Sequence, residues 1–244
     1  MNTLITRPVR KRVQAMALGR GQHGRIIAPL AFDLAAQISA RPIGEFHCDP
    51  TQLANGLSEL QRAIGNDVIC VALGDEIELR SASGDELDLQ DLTREGTPLA
   101  ASLEACHRLR ASGGDEIALL AGLTGPATLA AQFDCDPTEA ASFFTALVKE
   151  FCAAGCDLVL VFDPTIPDDE EDWRDTLKTA SNIARFHRAI ALGWEMEALP
   201  SPHRVPLDAP TVAGAGITTT EALLSTETDF EDLRTWVATL SGSR

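Results

Sequence analysis

The sequence predicts an α/β domain built on parallel strands, and three observations carry that expectation. Four short runs, at 26–32, 68–73, 117–123 and 158–162, are continuously apolar rather than alternating, so both faces of each strand must be covered. Helical segments with well-marked ends separate them, the chain order of repeated βα units. At 244 residues and 45% hydrophobic content, the chain is long enough to bury one full core, and residues 1–244 read as a single domain.

Residues 1–24 form an amino-terminal helical arm. Arg7, Arg10, Lys11, Arg12, Arg20 and Arg25 concentrate positive charge there, as a solvated basic arm or as an anion clamp. The first strand, Ile26 to Phe32, follows it. Asp49-Pro50-Thr51-Gln52 then opens a helix with an N-cap acid and a proline at the first helical position, and Gly65 closes it before the second strand, Val68 to Leu73. Residues 76–97 are polar and turn-rich, with Glu78, Arg80, Asp85 and Glu86, and predict a flap, either a lid or a structural hairpin.

The third strand, Ile117 to Leu123, runs into Thr124-Gly125-Pro126-Ala127-Thr128-Leu129. A strand's exit point is where α/β enzymes keep their chemistry. Asp136-Pro137-Thr138-Glu139 opens the next helix and Gly155 ends it, the same grammar as 49–65, with a cysteine (Cys48, Cys135) before each cap. An internal repeat and convergent capping both account for this. Beyond the fourth strand, Leu158 to Phe162, an acidic run from Pro167 to Asp175 leads into a helix over 173–187. Further strands are expected at 189–194 and 211–213, with Pro200, Pro202, Pro206 and Pro210 marking a loop between them. Thr218 with Glu221 reads as a capping box, and 230–240 as a final amphipathic helix containing Trp236.

The formal net charge of −16 argues against nucleic-acid binding through phosphates and against an anionic membrane surface. No apolar stretch approaches the roughly 20 residues that span a bilayer, and no signal-peptide core follows the basic arm, so a cytoplasmic protein is expected. The six cysteines, at 48, 70, 106, 135, 152 and 156, contain no Cys-x-x-Cys pair and are expected to be reduced.

Acids stand at several carboxyl ends: Asp33 after the first strand, Asp75 after the second, Asp163 after the fourth and Glu195 after the next. Sharing one mouth would raise some of their pKa values by repulsion and desolvation and suit them to proton transfer; the plain alternative is a set of solvated or capping carboxylates. Metal chemistry finds little support, because His47-Cys48 is adjacent rather than spaced and no two histidines stand at i, i+4. There is no phosphate loop and no Gly-x-Ser-x-Gly elbow, and Gly214-Ala215-Gly216 reads as a turn near a strand end.

Several ordered landmarks resemble the uroporphyrinogen decarboxylase superfamily, which includes methyltransferases serving corrinoid and thiol acceptors. They are Arg10 to Met16 with Arg25-Ile26-Ile27-Ala28-Pro29, Asp49-Pro50 with Gly65-Asn66-Asp67, Thr124 to Leu129, and Ala154-Gly155-Cys156-Asp157 to Phe162-Asp163-Pro164. The resemblance implies a TIM-type (β/α)8 barrel. The interval from Asp163 to Gly214 is short for the usual number of βα units, so a shortened or incomplete barrel is expected, with two units missing. Open edges of that kind predict a homodimer or a heteromeric partner that completes the barrel.

Carried over residue by residue, the resemblance implies Asp75 and Asp163 as catalytic groups. It implies Asp33, Arg12, Arg20, Arg25, Thr124, Gly125, Gln132, Gly214 and Gly216 as substrate-binding positions. The family tyrosine is absent, with Gln132 near its place, and Ala215 stands where the decarboxylases carry histidine. The methyltransferases' His-x-Cys zinc pair is missing too, so zinc is not expected. Three functions stay open: a methyltransferase or demethylase component acting on a small-molecule substrate or a corrinoid (cobalamin) carrier protein, a non-catalytic binding or stabilising subunit, and a decarboxylase of a porphyrinogen-like polycarboxylate.

Overall fold

The computed structural model describes residues 8–20, 24–39, 42–74, 88–165, 167, 169–209 and 215–242. Seven parallel strands form among them: β1 (Arg25–Ile27), β2 (Val68–Leu73), β3 (Ala118–Thr124), β4 (Leu158–Phe162), β5 (Ile190–Trp194), β6 (His203–Val205) and β7 (Gly216–Thr220). They make a three-stranded sheet of order β1-β7-β6 and a four-stranded sheet of order β2-β3-β4-β5. Two borders join the sheets. Between β1 and β2, the Asp67 amide donates to Ile27 O at 3.1 Å. Between β5 and β6, the Arg204 guanidinium lies 5.0 Å from the Trp194 ring centre.

The helices described are α1 (Val9–Ala17), α2 (Leu34–Ile38), α3 (Ile43–Cys48), α4 (Pro50–Ile64), α5 (Pro98–Gly113), α6 (Pro126–Phe133), α7 (Pro137–Ala154), α8 (Glu170–Phe186) and α9 (Phe230–Gly242). In α4 the Asp49 carboxylate accepts from Thr51 N and Gln52 N, Pro50 occupies a position that needs no N–H, and Gly65 ends the helix at φ 73°. Leu53, Leu57, Leu60 and Ile64 recur at helical spacing and are buried. Helix α7 repeats the scheme, capped by Asp136 and stopped by Gly155 at φ 107°, with Phe144, Leu147, Val148 and Phe151 buried.

The likeness of these two helix-strand units extends to their ends. Asp67, immediately before β2, accepts from Ile27 N at 2.8 Å, and Asp157, immediately before β4, accepts from Leu119 N at 3.2 Å. Each buried carboxylate meets an arginine of α1: Arg12 Nη1 lies 4.0 Å from Asp67 and Arg10 Nε 3.1 Å from Asp157. Arg110 of α5 adds a second partner for Asp157. Burial pushes the Asp157 carboxyl above the ordinary aspartate value, against the opposing pull of Arg110 and Arg10.

Several expectations are corrected. The Pro-rich stretch read as loop holds β6, and the supposed capping box at Thr218 is the middle of β7, with Thr218 to Thr220 buried. The strand expected at 211–213 lies outside the described residues. Of the flap expected at 76–97, only 88–97 are described. They form a 3₁₀ turn, Leu89–Thr93, with a reciprocal Asp88–Asp91 capping box, and Leu89 and Leu92 are buried in the core. The amino-terminal arm is not a free basic extension, since Val13 of α1 is fully buried and Arg12 nearly so.

Candidate functional site

The carboxyl ends of β3 and β4 interlock. Gly125 follows β3, and a Cβ there would sit 2.4 Å from both Cβ and Cγ of Asp163, so glycine is required by the close approach of that aspartate. Pro126 is the first residue of α6. The next two amides, orphan donors at any helix start, are given to Asp163: Thr128 N donates to Oδ1 at 2.7 Å and Ala127 N to Oδ2 at 3.3 Å. Trp173 Nε1 of α8 also donates to Oδ2, at 2.7 Å. The Thr128 hydroxyl meets the Thr165 hydroxyl at 3.0 Å. The Gly-Pro-x-Thr motif and the Phe-Asp-Pro segment are thus two halves of one device, in which an aspartate from the neighbouring strand caps a helix that has no cap of its own.

Beside it stands an aromatic group. Thr124, Phe162 and Trp194 are the last residues of β3, β4 and β5 and pair in register. The Phe162 and Trp194 rings lie 5.4 Å apart, and both residues are half-buried. Gly122 makes room for this layer, since a Cβ there would meet Leu73 Cδ1 and Phe162 Cε2, each at 2.9 Å. Arg204 spans the Trp194 ring and pairs with Glu195. Glu195 itself takes φ 55°, a left-handed conformation that a side chain adopts at a cost.

A third cluster follows β1. His47 Nε2 of α3 lies 3.3 Å from Asp33 Oδ1, and the His47 ring packs 4.7 Å from Phe32. The imidazole is buried, while the Asp33 side chain keeps 31% of its exposure. Such a pair can hold or pass a proton.

The expected site residues divide by position. Asp33, Thr124, Gly125 and Asp163 stand at carboxyl ends. Arg12 and Arg25 stand at the opposite, amino ends, where Arg12 donates to Arg25 O and Arg25 Nη1 donates to Leu240 O at 3.1 Å. Arg20 follows α1 and is exposed, and Gly216 opens β7 at its amino end with φ 111°. Gln132 is exposed near the far end of α6. Asp75 and Gly214 lie outside the described residues. Sequence reasoning missed three groups: His47, passed over as a metal ligand; Trp173, read only as a helix start; and Arg204, placed in a loop. For the last no strand signal was available, since His203-Arg204-Val205 is polar, polar and apolar, with its first two residues exposed.

Among the described residues no three histidine, cysteine or acidic side chains gather where a metal could be held. No helix among them is long and apolar enough to cross a membrane.

No family model and no curated protein matches the chain. Among solved structures, a methyltransferase from Methanosarcina mazei matches with a TM-score of 0.67, over 96% of this chain and 98% of that chain, at 13% sequence identity. At that identity the likeness speaks for the fold. The chain therefore shares a mixed α/β architecture of parallel sheets with a methyltransferase.

Proposed function

We propose that the chain is a divergent methyl-transfer component, related to the uroporphyrinogen decarboxylase and corrinoid methyltransferase superfamily, acting at the carboxyl ends of its strands. The fold likeness to a methyltransferase along nearly the whole chain carries this reading. The strand orders β6-β7-β1 and β2-β3-β4-β5 are those of a seven-stranded ring cut at two borders, which supports an incomplete TIM-type barrel. Asp33, with His47 behind it, and Asp75 are the proposed proton-handling groups. Asp163, with both oxygens already accepting, is the proposed positioning group. Phe162 and Trp194 offer an apolar face, and Arg204 a donor, to a flat, amide-bearing corrinoid presented by a carrier protein. A methylated corrinoid would supply an electrophilic methyl group, its cobalt keeping the electron pair of the broken cobalt–carbon bond, and Asp33 would take the proton that the acceptor thiol gives up.

The test is incubation of the full chain with methylcobalamin and a thiol, followed by the corrinoid absorption spectrum. Loss of the methylcobalt bands, slowed by Asp33→Asn, is the expected result; an unchanged spectrum together with unchanged tryptophan fluorescence would overturn the reading.

A second reading, a non-catalytic binding or stabilising subunit, draws on the full occupation of Asp163 by protein donors. The decarboxylase reading loses support, because Arg12 and Arg25, two of the three arginines meant to read carboxylates, sit at the amino ends with protein partners. A homodimer or a barrel-completing partner is proposed, to be checked by light scattering, and a cytoplasmic location is proposed from the sequence.

A further inference from the structure

A groove of about 770 Å³ opens between α6, α7 and α8. Its floor is made of small side chains, Ala127, Ala130 and Ala131 on α6 with Ala141 and Ser142 on α7. Its far wall runs from Asp169, the cap of α8, to Thr179 within it. At the helical rise of 1.5 Å per residue that wall runs for about 15 Å, close to three helical turns. Trp173 rises from it, and its ring is fixed because the indole N–H is held by Asp163 at 2.7 Å.

The charge of the groove is one-sided. Asp134, Asp169, Asp172 and Asp175 line it, and no lysine or arginine is among its described lining residues. Asp169 is occupied in capping α8, and Asp175 lies 3.8 Å from Lys178, while Asp134 and Asp172 are open to solvent. An apolar floor of alanines lets another backbone approach closely, and an acidic rim selects what may approach.

We propose that this groove docks a basic, amphipathic helical segment of a partner protein. The partner lays small or aliphatic side chains on the alanine floor and against Trp173, and aligns lysines or arginines with Asp134, Asp172 and Asp175. The length of its α8 wall matches about three turns of helix. The acidic rim repels nucleic acid and anionic lipid. The apolar floor leaves a compact polyamine with little to contact beyond the rim.

The probe is a fluorescein-labelled lysine-leucine amphipathic peptide of about four turns, titrated with the full chain and read by anisotropy. Saturable binding is expected. It should weaken about five- to ten-fold in Asp134→Asn/Asp172→Asn and be blocked in Ser142→Trp, where an exposed position fills the groove without touching the core. Glu59→Gln/Glu150→Gln removes the same charge from exposed sites elsewhere and should leave binding within about two-fold. Equal loss in both double variants would reduce the effect to net charge and overturn the proposal. Displacement of the probe by spermine at comparable affinity would assign a small-cation site instead and also overturn it. Native circular dichroism of each variant keeps a folding defect from passing as loss of docking.

Discussion

Placing a methyl group on Gly125 tests whether the Gly-Pro motif exists to seat Asp163. The backbone there, φ −76° and ψ 166°, is extended and open to any residue, so alanine carries no conformational penalty at this position. The cost comes only from the 2.4 Å approach of the new Cβ to Cβ and Cγ of Asp163, atoms too near the backbone to swing aside. Displacing Asp163 uncaps α6, at about 1 kcal/mol. It also takes a charged acceptor from Trp173, worth about 1.5 kcal/mol. Alanine returns about 0.5 kcal/mol by narrowing the unfolded ensemble.

Gly125→Ala should therefore cost about 2 kcal/mol, or about 4–8 °C in Tm for a chain of this length. The informative measurement is a double-mutant cycle by urea denaturation. With Asp163→Gly already in place, which removes both clashing atoms, Gly125→Ala should cost nothing within about 0.5 kcal/mol, giving a coupling of about 2 kcal/mol. An undiminished cost in the Asp163→Gly background would refute the reasoning, since the clash would then lie elsewhere.

Other outcomes follow from the same structure. Gly122→Ala should overpack the strand-end layer, costing about 1–3 kcal/mol and shifting tryptophan emission through the Phe162–Trp194 pair; an unchanged spectrum would count against that packing. Burial pushes the Cys152 thiol up to about 12 and Cys156 higher than its ordinary value. Iodoacetamide at pH 8 should therefore label the half-buried Cys48 and Cys135 first, as peptide mass spectrometry would show, and early labelling of Cys152 would contradict its burial. Because Asp157 titrates higher folded than unfolded, the native state holds its proton more tightly, and stability falls as pH rises from the ordinary aspartate value to the raised one. The stability of the wild type minus that of Asp157→Asn should decline across that window and then level; a difference that rises with pH would reverse the assigned sign.

The parts of this fold that announce themselves in sequence are those whose causes are local. Val68–Leu73 and Leu158–Phe162 are buried on both faces and read as uninterrupted apolar runs, and the Asp-Pro caps with their glycine stops fix α4 and α7 to within a residue. Strand β7 escaped because Thr218, Thr219 and Thr220 are buried without being apolar, leaving β-branching as the sole trace. Strand β6 is three residues among prolines, two of them exposed. For the site, the carboxyl-end positions of Asp33 and Asp163 were legible from strand order. What occupies them was not: the donors on Asp163 come from Thr128 and Trp173, and Arg25 finds its acceptor at Leu240, 215 residues away. Charge in a sequence says nothing about partners so remote.

The pairing of β1 with β7 sets an order of assembly. Arg25 meets Gly216 and Ile27 meets Thr218, so β1 acquires this partner only after β2 to β6 have been made. The sheet β2-β3-β4-β5 needs nothing beyond Trp194 and can form while synthesis continues. Until β7 arrives, β1 presents an unpaired edge, and α1 can already clasp Asp67 and Asp157 at the amino ends. A chain stopped just short of Gly216 would keep β2-β3-β4-β5 and leave β1 without β7, turning a truncation at β7 into an aggregation-prone edge at β1.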